Sequence, residues 1–545
     1  MRKLLVSIGL LLGLSTASAT DYTDTLVVTV NGVSSYQHAT ISLTEQDNET
    51  YTLSLKNFKL INGEQVIGVG TISLPDCEAI KTTRGMIIEE DVAINIEAGD
   101  DPSVDFWMGP AIGEVPIKLC AALVGDKLQA VIDINLAFME QIINVRFGEG
   151  YQLFNGTFES FKDANGIVVE EDGTYAEPEY WHSFISATGS LAGAAPKPLL
   201  SKETRSGATN STKSLLLKST SVFGIVANGT ATNGRLNAGN VSATNTANHA
   251  EMDITNSATD PSGHPFYTRL NVQPDSIALW AKFKQGTANA QHPYATFTAT
   301  ITDGTYYQDP EDKTYKNKVA VAKNNTIASN GAVWQRLAIP FDYATYASNN
   351  VEQKAILITM STNADPGQGS KGDELYVDDV ELVYNADITS VKFDGNNVDA
   401  TQVVTEEIPQ EANIFTAEIE VSKDVTADDF VVETNAKQPF IGVEVVNAEG
   451  IDFENPELQK EADQIAFITC YAADLSKASK WIVFIKKAGI NYDLNGDGKV
   501  STADIQVIIN EMKKPSDSQD MSYDLNGDGK ISTADIQVII NEMKK

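Results

Sequence analysis

The chain has 545 residues, with 40 Lys plus Arg against 74 Asp plus Glu, and a net charge of -34. Such acidity repels nucleic acid phosphates and anionic membrane surfaces and suits cations and neutral ligands. Three cysteines exclude disulfides as the main staple, and the length asks for three or four domains instead of one core. At the N-terminus, Arg2 and Lys3 precede an apolar run from Leu4 to Leu14, and Ala17-Ser18-Ala19 offers a small-residue cleavage site. This pattern predicts a removable signal peptide over 1–19, so the mature protein is expected to be secreted or held at the bacterial cell surface. No later stretch reaches the roughly 18 apolar residues of a membrane span.

From Thr25 the chain is written in strands: Leu26 to Val30, Ala39 to Thr44, Tyr51 to Leu60, Val66 to Leu74, Met86 to Ile96 and Lys127 to Leu136, separated by Asn-Gly, Asp-Asn and Gly-Asp turns. The spacing predicts an antiparallel barrel or half-barrel over 20–151. Its strand rhythm and the phrase Tyr51-Thr-Leu-Ser-Leu-Lys-Asn-Phe58 resemble the calycin-like domains of secreted gut-bacterial proteins. That resemblance implies an interior able to hold a small apolar ligand, whereas a narrow barrel is ordinarily filled by its own side chains. Cys77 and Cys120 fall in this domain and are free to pair in an oxidising compartment; Cys470, with no neighbour, reads as a small buried hydrophobe.

A second β region follows, marked by Asn155 to Glu159, Glu177 to Phe184, Pro274 to Trp280, Trp334 to Phe341 and Glu374 to Val383. In their order these phrases resemble a family of carbohydrate-metabolism domains of jelly-roll type, related in architecture to carbohydrate-binding modules, over 152–386. Alternation along Ser276 to Phe283 sends Ile277, Leu279, Ala281 and Phe283 to one face and Ala278, Trp280 and Lys282 to the other. Trp280 is therefore a candidate sugar platform, because an indole can stack on the C–H face of a pyranose; Trp334, sharing a face with Arg336, is a second. The alternative is that both are core. The same resemblance implies a structural calcium between first and last strands, carried over to Glu159 and Asp379. A Ser-, Thr- and Gly-richer stretch from Ser186 to Thr220 reads as a long loop of this domain.

Six further strand-like runs, from Ile388 to Ile485, suit a small immunoglobulin-like sandwich over 387–488, expected to space the C-terminus from the rest. Catalytic motifs are not evident. His38, His182, His249, His264 and His292 fall in no paired ligand spacing, and neither a nucleophile elbow nor a phosphate loop occurs. Two carboxylates suffice for a glycosidase, however, and 74 acids leave that open.

The C-terminus is written twice. Asn491 to Lys514 and Ser522 to Lys545 each carry Asp-Leu-Asn-Gly-Asp-Gly-Lys-(Val/Ile)-Ser-Thr-Ala-Asp. A calcium loop needs oxygen side chains at positions 1, 3 and 5, glycine at 6, a carbonyl at 7 and a carboxylate at 12. The copies supply Asp493, Asn495, Asp497, Lys499, Ser501 and Asp504, then Asp524, Asn526, Asp528, Lys530, Ser532 and Asp535. A helix should follow each loop, with stripes Ile505, Ile508, Ile509, Met512 and Ile536, Ile539, Ile540, Met543 packed together. Aspartate at position 12, no helix-sized segment ahead of each loop, and close duplication make residues 489–545 resemble the type I dockerin. The resemblance implies two Ca2+ ions and a cohesin partner recognised through Thr502, Ala503, Thr533 and Ala534.

The sequence thus predicts a mostly β multidomain chain: a calycin-like barrel, a jelly-roll β-sandwich, a small immunoglobulin-like β-domain and a C-terminal α-helical, calcium-binding dockerin. Two functions stay open. One is a non-catalytic glycan-binding accessory protein docked to a cohesin in polysaccharide degradation; the other is a hydrolase or lyase whose catalytic module is the jelly roll.

Overall fold

A computed structural model of the chain describes residues 19–46, 50–62, 65–136, 141–208, 211–453, 455–487 and 491–545. The apolar run of the expected signal peptide lies outside the described residues.

Eight antiparallel strands close a barrel: β1 (Ala19–Val30), β2 (Val33–Glu45), β3 (Tyr51–Asn62), β4 (Gln65–Thr82), β5 (Gly85–Asn95), β6 (Glu114–Val124), β7 (Lys127–Leu136) and β8 (Gln141–Phe147), with β8 pairing back onto β1. Two of them, β6 and β8, are absent from the strand runs listed for the sequence. The interior is filled by side chains such as Leu26, Ile41, Leu53, Ile72, Leu119, Ile132 and Val145, each buried. The chain beyond β5 bridges β4 so closely that a Cβ on Gly70, whose φ is +138°, would stand 2.1 Å from the Glu97 carbonyl oxygen; only glycine suits both the approach and the dihedral. Cys77 lies inside the barrel and Cys120 packs on its outside against a different cluster, so the pairing left open by the sequence does not form: both are free thiols. Burial pushes the Cys77 thiol up to about 12.

Next come two facing antiparallel sheets. One orders the strands His182–Ser183, Thr230–Thr232, Ala355–Ser361, Ala295–Thr302 and Lys318–Ile327; the other orders Leu199–Ser201, Ser214–Lys218, Glu374–Val383, Ser276–Lys284 and Gln335–Pro340. The stretch expected to be a loop, Ser186 to Thr220, therefore contains two strands of the second sheet. A three-stranded sheet, Arg235–Ala238, Asn248–Met252 and Tyr307–Asp309, covers part of the first.

The third β unit pairs a small sheet containing Ile388–Phe393 and Phe430–Thr434 with a larger one containing Ile414–Val421, Ala478–Lys487, Gln464–Tyr471 and Phe440–Asn447. Ile414–Val421 runs parallel to Ala478–Lys487. This unit is no free-standing spacer. One continuous apolar cluster runs from Phe158 and Trp181 of the sandwich to Val483 and Ile485 of the third unit, and Phe440, Tyr471 and Leu475 pack on Ile87, Ala122 and Val131 of the barrel wall. Burial from outside explains why β7 is buried on both faces across Leu128 to Ile132.

Two helices, Thr502–Met512 and Thr533–Glu542, end the chain. Ile508 and Ile539 are fully buried between them, joined by Ile531 and flanked by Ile505, Met512 and Ile536. The predicted stripes hold except at their rims: Met543 is exposed.

Candidate functional site

The outer face of the five-stranded sheet gathers the aromatic candidates. Ile277, Leu279, Ala281 and Phe283 point into the core, leaving Trp280 half-buried on the outside, opposite Arg336 on one neighbouring strand and Asp378 on the other. Trp280 is not a bare platform. The Arg205 guanidinium lies over its ring at 4.9 Å, held by Asp378 at 3.2 Å and by Asp379. Ser211 Oγ also donates to Asp378 at 2.7 Å. Burial, and then the neighbouring Asp379 charge, push the Asp378 carboxyl up to about 7, against the pull of Ser211 and Arg205. Trp334 is half-buried on the same side. It meets Tyr376 edge-on at 6.2 Å and has Lys282 Nζ 5.6 Å above its ring, while its indole N–H is buried without a hydrogen-bond partner. Lys282 also sits 3.7 Å over Tyr376 and pairs with Glu203.

Sequence reasoning missed Arg205 and Glu203, because they come from a segment some 75 residues away whose loop-like composition carries no signal. Glu159 accepts from the N–H groups of Thr212 and Lys213 at 2.8 and 3.1 Å, whereas Asp379 pairs with Arg205.

The C-terminal loops are built alike. In the first, Asp493 Oδ2 accepts the N–H of Gly498 at 2.7 Å, Asn495 Oδ1 accepts that of Asp497 at 2.8 Å, and Asp497 Oδ1 accepts that of Lys499 at 3.0 Å. The second repeats these contacts through Asp524, Asn526 and Asp528, the last accepting the Lys530 N–H at 3.0 Å. Gly498 and Gly529 take φ of +82° and +79°, the left-handed turn that position 6 requires. Ser501 and Ser532 are helix N-caps, each hydroxyl accepting an N–H at 3.1 Å from Ala503 or Ala534. Asp504 and Asp535 close a capping box and are fully buried, with no ion pair among the described residues. Burial pushes the Asp504 carboxyl up, but N–H donors from Ser501, Asn495 and Leu494 bring it below the usual carboxylate range.

Among the described residues no three His, Cys, Asp or Glu side chains stand gathered at metal-ligating range, the loop carboxylates being turned onto backbone N–H groups. The donor set nevertheless fits a hard cation: it is all oxygen, and each loop buries a carboxylate that no cationic side chain neutralises. Residues 491–544 match the dockerin type I domain.

Residues 19–149 match the calycin-like beta-barrel domain. No curated protein matches this chain. A crystal structure described as "a putative glycoside hydrolase from bacteroides thetaiotaomicron" shares 13% identity over 58% of this chain and 95% of that chain, with a TM-score of 0.27, and no argument rests on it. Dockerin domains of this type generally bind calcium and attach to cohesins. In this dockerin Thr502, Ala503, Thr533 and Ala534 are all exposed at the starts of the two helices. The repeats differ at one point that their near-identity conceals. Glu511 and its counterpart Glu542 each pair with the lysine three residues on, Lys514 or Lys545, but Glu511 is buried and also accepts the Asp520 N–H at 2.7 Å, fastening the inter-repeat segment to the first helix. Among the described residues no helix is long and apolar enough to cross a membrane.

Proposed function

We propose that this chain is a secreted accessory protein of polysaccharide degradation, which binds glycan on the sandwich face around Trp280 and Trp334 and attaches through its calcium-loaded dockerin to a cohesin. The observation that carries this reading is the duplicated loop-helix pair, each copy burying an unpaired carboxylate. Two Ca2+ ions would be held by Asp493, Asn495, Asp497, the Lys499 carbonyl, Ser501 and Asp504, and by Asp524, Asn526, Asp528, the Lys530 carbonyl, Ser532 and Asp535. The ions would neutralise the loop carboxylates and fix the helix starts that present Thr502, Ala503, Thr533 and Ala534 to the cohesin. On the sandwich, stacking on an indole with carboxylates and Arg336 alongside suits a hydroxyl-bearing ring. Retention of the full chain on immobilised glycans, together with calcium-dependent capture by cohesins, tests both halves. Failure on every glycan tried, with cohesin binding intact, would leave only the docking half.

One observation favours a second reading, in which the sandwich is a glycan hydrolase or lyase: the carboxyl of Asp378, raised to about 7 beside an aromatic ring, has the poise of a catalytic acid. Reducing-end release that disappears in Asp378→Asn while glycan retention persists would decide for the enzyme.

A further inference from the structure

Along one side of the sandwich each sheet ends in an edge strand: Lys318–Ile327 for one and Gln335–Pro340, which carries Arg336, for the other. The two edges do not pair along their length. They meet only where Asp342 bridges Val321, and they rejoin through the connection 328–334. Between them lies an open groove of about 570 Å³, lined by Lys323, Asn324, Asn325 and Thr326 on one wall and Ala338, Ile339 and Pro340 on the other. That volume falls within the range of ligand sites.

The first wall holds two amide NH2 groups with no acceptor among the described residues. Thr326 N–H can only donate, and it donates to Asn324 Oδ1 at 2.9 Å; Thr296 Oγ1 occupies Asn325 Oδ1 at 2.7 Å. Both amide oxygens are therefore engaged within the protein, and both NH2 groups are left to serve the groove. Lys323 is exposed and makes no ion pair among the described residues; the buried carboxyl of Asp309 feels its charge only at longer range. The opposite wall is apolar. Lys323 is the one charged side chain of this lining. Both edges are blunted against an added peptide strand. A bulge breaks the ladder at Asn325 and Thr326, where Ala295 pairs with Ile327 but Phe297 with Asn324, and Pro340 has no N–H to offer.

We infer that this inter-sheet groove is a second glycan site, beside the Trp280 face, for an extended and otherwise neutral saccharide chain carrying a sparse carboxylate, a uronic acid substituent. The amides of Asn324 and Asn325 donate to ring and hydroxyl oxygens, Ile339 and Pro340 meet the C–H face, and Lys323 takes the carboxylate. A densely charged polyuronate is disfavoured, because the acidic protein repels it at long range and the groove offers a single cation.

Calorimetric titration of the full-length protein with xylo-oligosaccharides bearing one glucuronic acid, with the unsubstituted oligosaccharides, and with polygalacturonate tests the inference. The uronated chain should bind about tenfold more tightly than the neutral one, as befits one hydrogen-bonded charge pair. Lys323→Gln should erase that preference without weakening the neutral chain. Ala338→Trp, which fills the groove at an exposed position, should abolish the preference for the uronated chain, whereas Trp280→Ala should leave that preference intact. Equal affinity for the two oligosaccharides, a preference for polygalacturonate, an unchanged preference in Ala338→Trp, or retention of an extended peptide in place of either glycan would each overturn it.

Discussion

Trp280 shows how one side chain can be read correctly for direction and wrongly for company. Alternation along Ser276–Lys284 sends it outward, as the sequence says, but the Arg205 guanidinium at 4.9 Å makes it part of a small folded cluster. Trp280→Ala should therefore cost about 1–3 kcal/mol, from lost apolar burial and the cation–π contact. That is less than the ~3–5 kcal/mol expected for Trp181→Ala, whose ring is fully buried and whose indole N–H donates to the Phe154 carbonyl at 3.1 Å. Denaturant midpoints of the two variants check the order, and an equal loss would assign Trp280 to the core. The neighbouring Asp378 gives a pH signature. Its carboxyl titrates near 7 in the folded protein against 3.8 as the ordinary value, so between those limits the folded state holds the extra proton and stability falls as pH rises. Asp378→Asn should flatten that fall across pH 4 to 7 in thermal unfolding, and a variant with the wild-type slope would place the titrating group elsewhere.

At the scale of elements, legibility followed periodicity. Runs rich in β-branched and aromatic residues, such as Ile414–Val421, Phe440–Asn447 and Gln464–Tyr471, could be read nearly to their ends, and the loop-helix repeats to the residue. Partnership was not readable: the parallel pairing of Ile414–Val421 with Ala478–Lys487 joins residues 66 positions apart, and nothing local encodes it. Likewise Arg205 reaches Trp280 only through the fold. The dockerin carries a sharper expectation. Asp504→Ala removes both a capping-box acceptor, about 0.5–2 kcal/mol by itself, and a candidate calcium ligand. Calorimetry should then find one calcium site in place of two, with the second helix intact; Asp535→Ala should give the mirror result. Two sites persisting in either variant would show that position 12 does not ligate. With chelator, helicity of the C-terminal module should fall in the wild type, since buried Asp504 and Asp535 then lack a counter-charge.

Across the whole molecule, the three β units behave in their contacts as one body. The barrel and third unit share an apolar cluster of Ile87, Ala122, Val131, Phe440, Tyr471 and Leu475, reinforced by Lys480 and Glu89 at 2.8 Å and by Arg84 stacked over Phe440 at 4.6 Å. The barrel and sandwich are joined where Tyr36 packs on Phe154 and Tyr180 and its hydroxyl accepts the Asn155 N–H at 2.6 Å. Because the sandwich core continues into the third unit through Tyr384, Ala386 and Ile388, a fragment ending at residue 386 would expose that seam to water. Residues 152–386 alone should therefore express as an aggregating or partly folded species, while 19–487, which keeps every shared seam covered, should be monodisperse by light scattering. In the full chain the β units should unfold in a single calorimetric transition, separate from the chelator-sensitive dockerin. Phe440→Asp places an unpaired charge in the barrel joint and should split that transition in two, because the cost of burying a carboxylate there exceeds what the joint contributes. A stable, monodisperse 152–386 fragment, together with an unsplit transition in Phe440→Asp, would mean that the shared clusters are contacts of convenience and that each β unit folds on its own account.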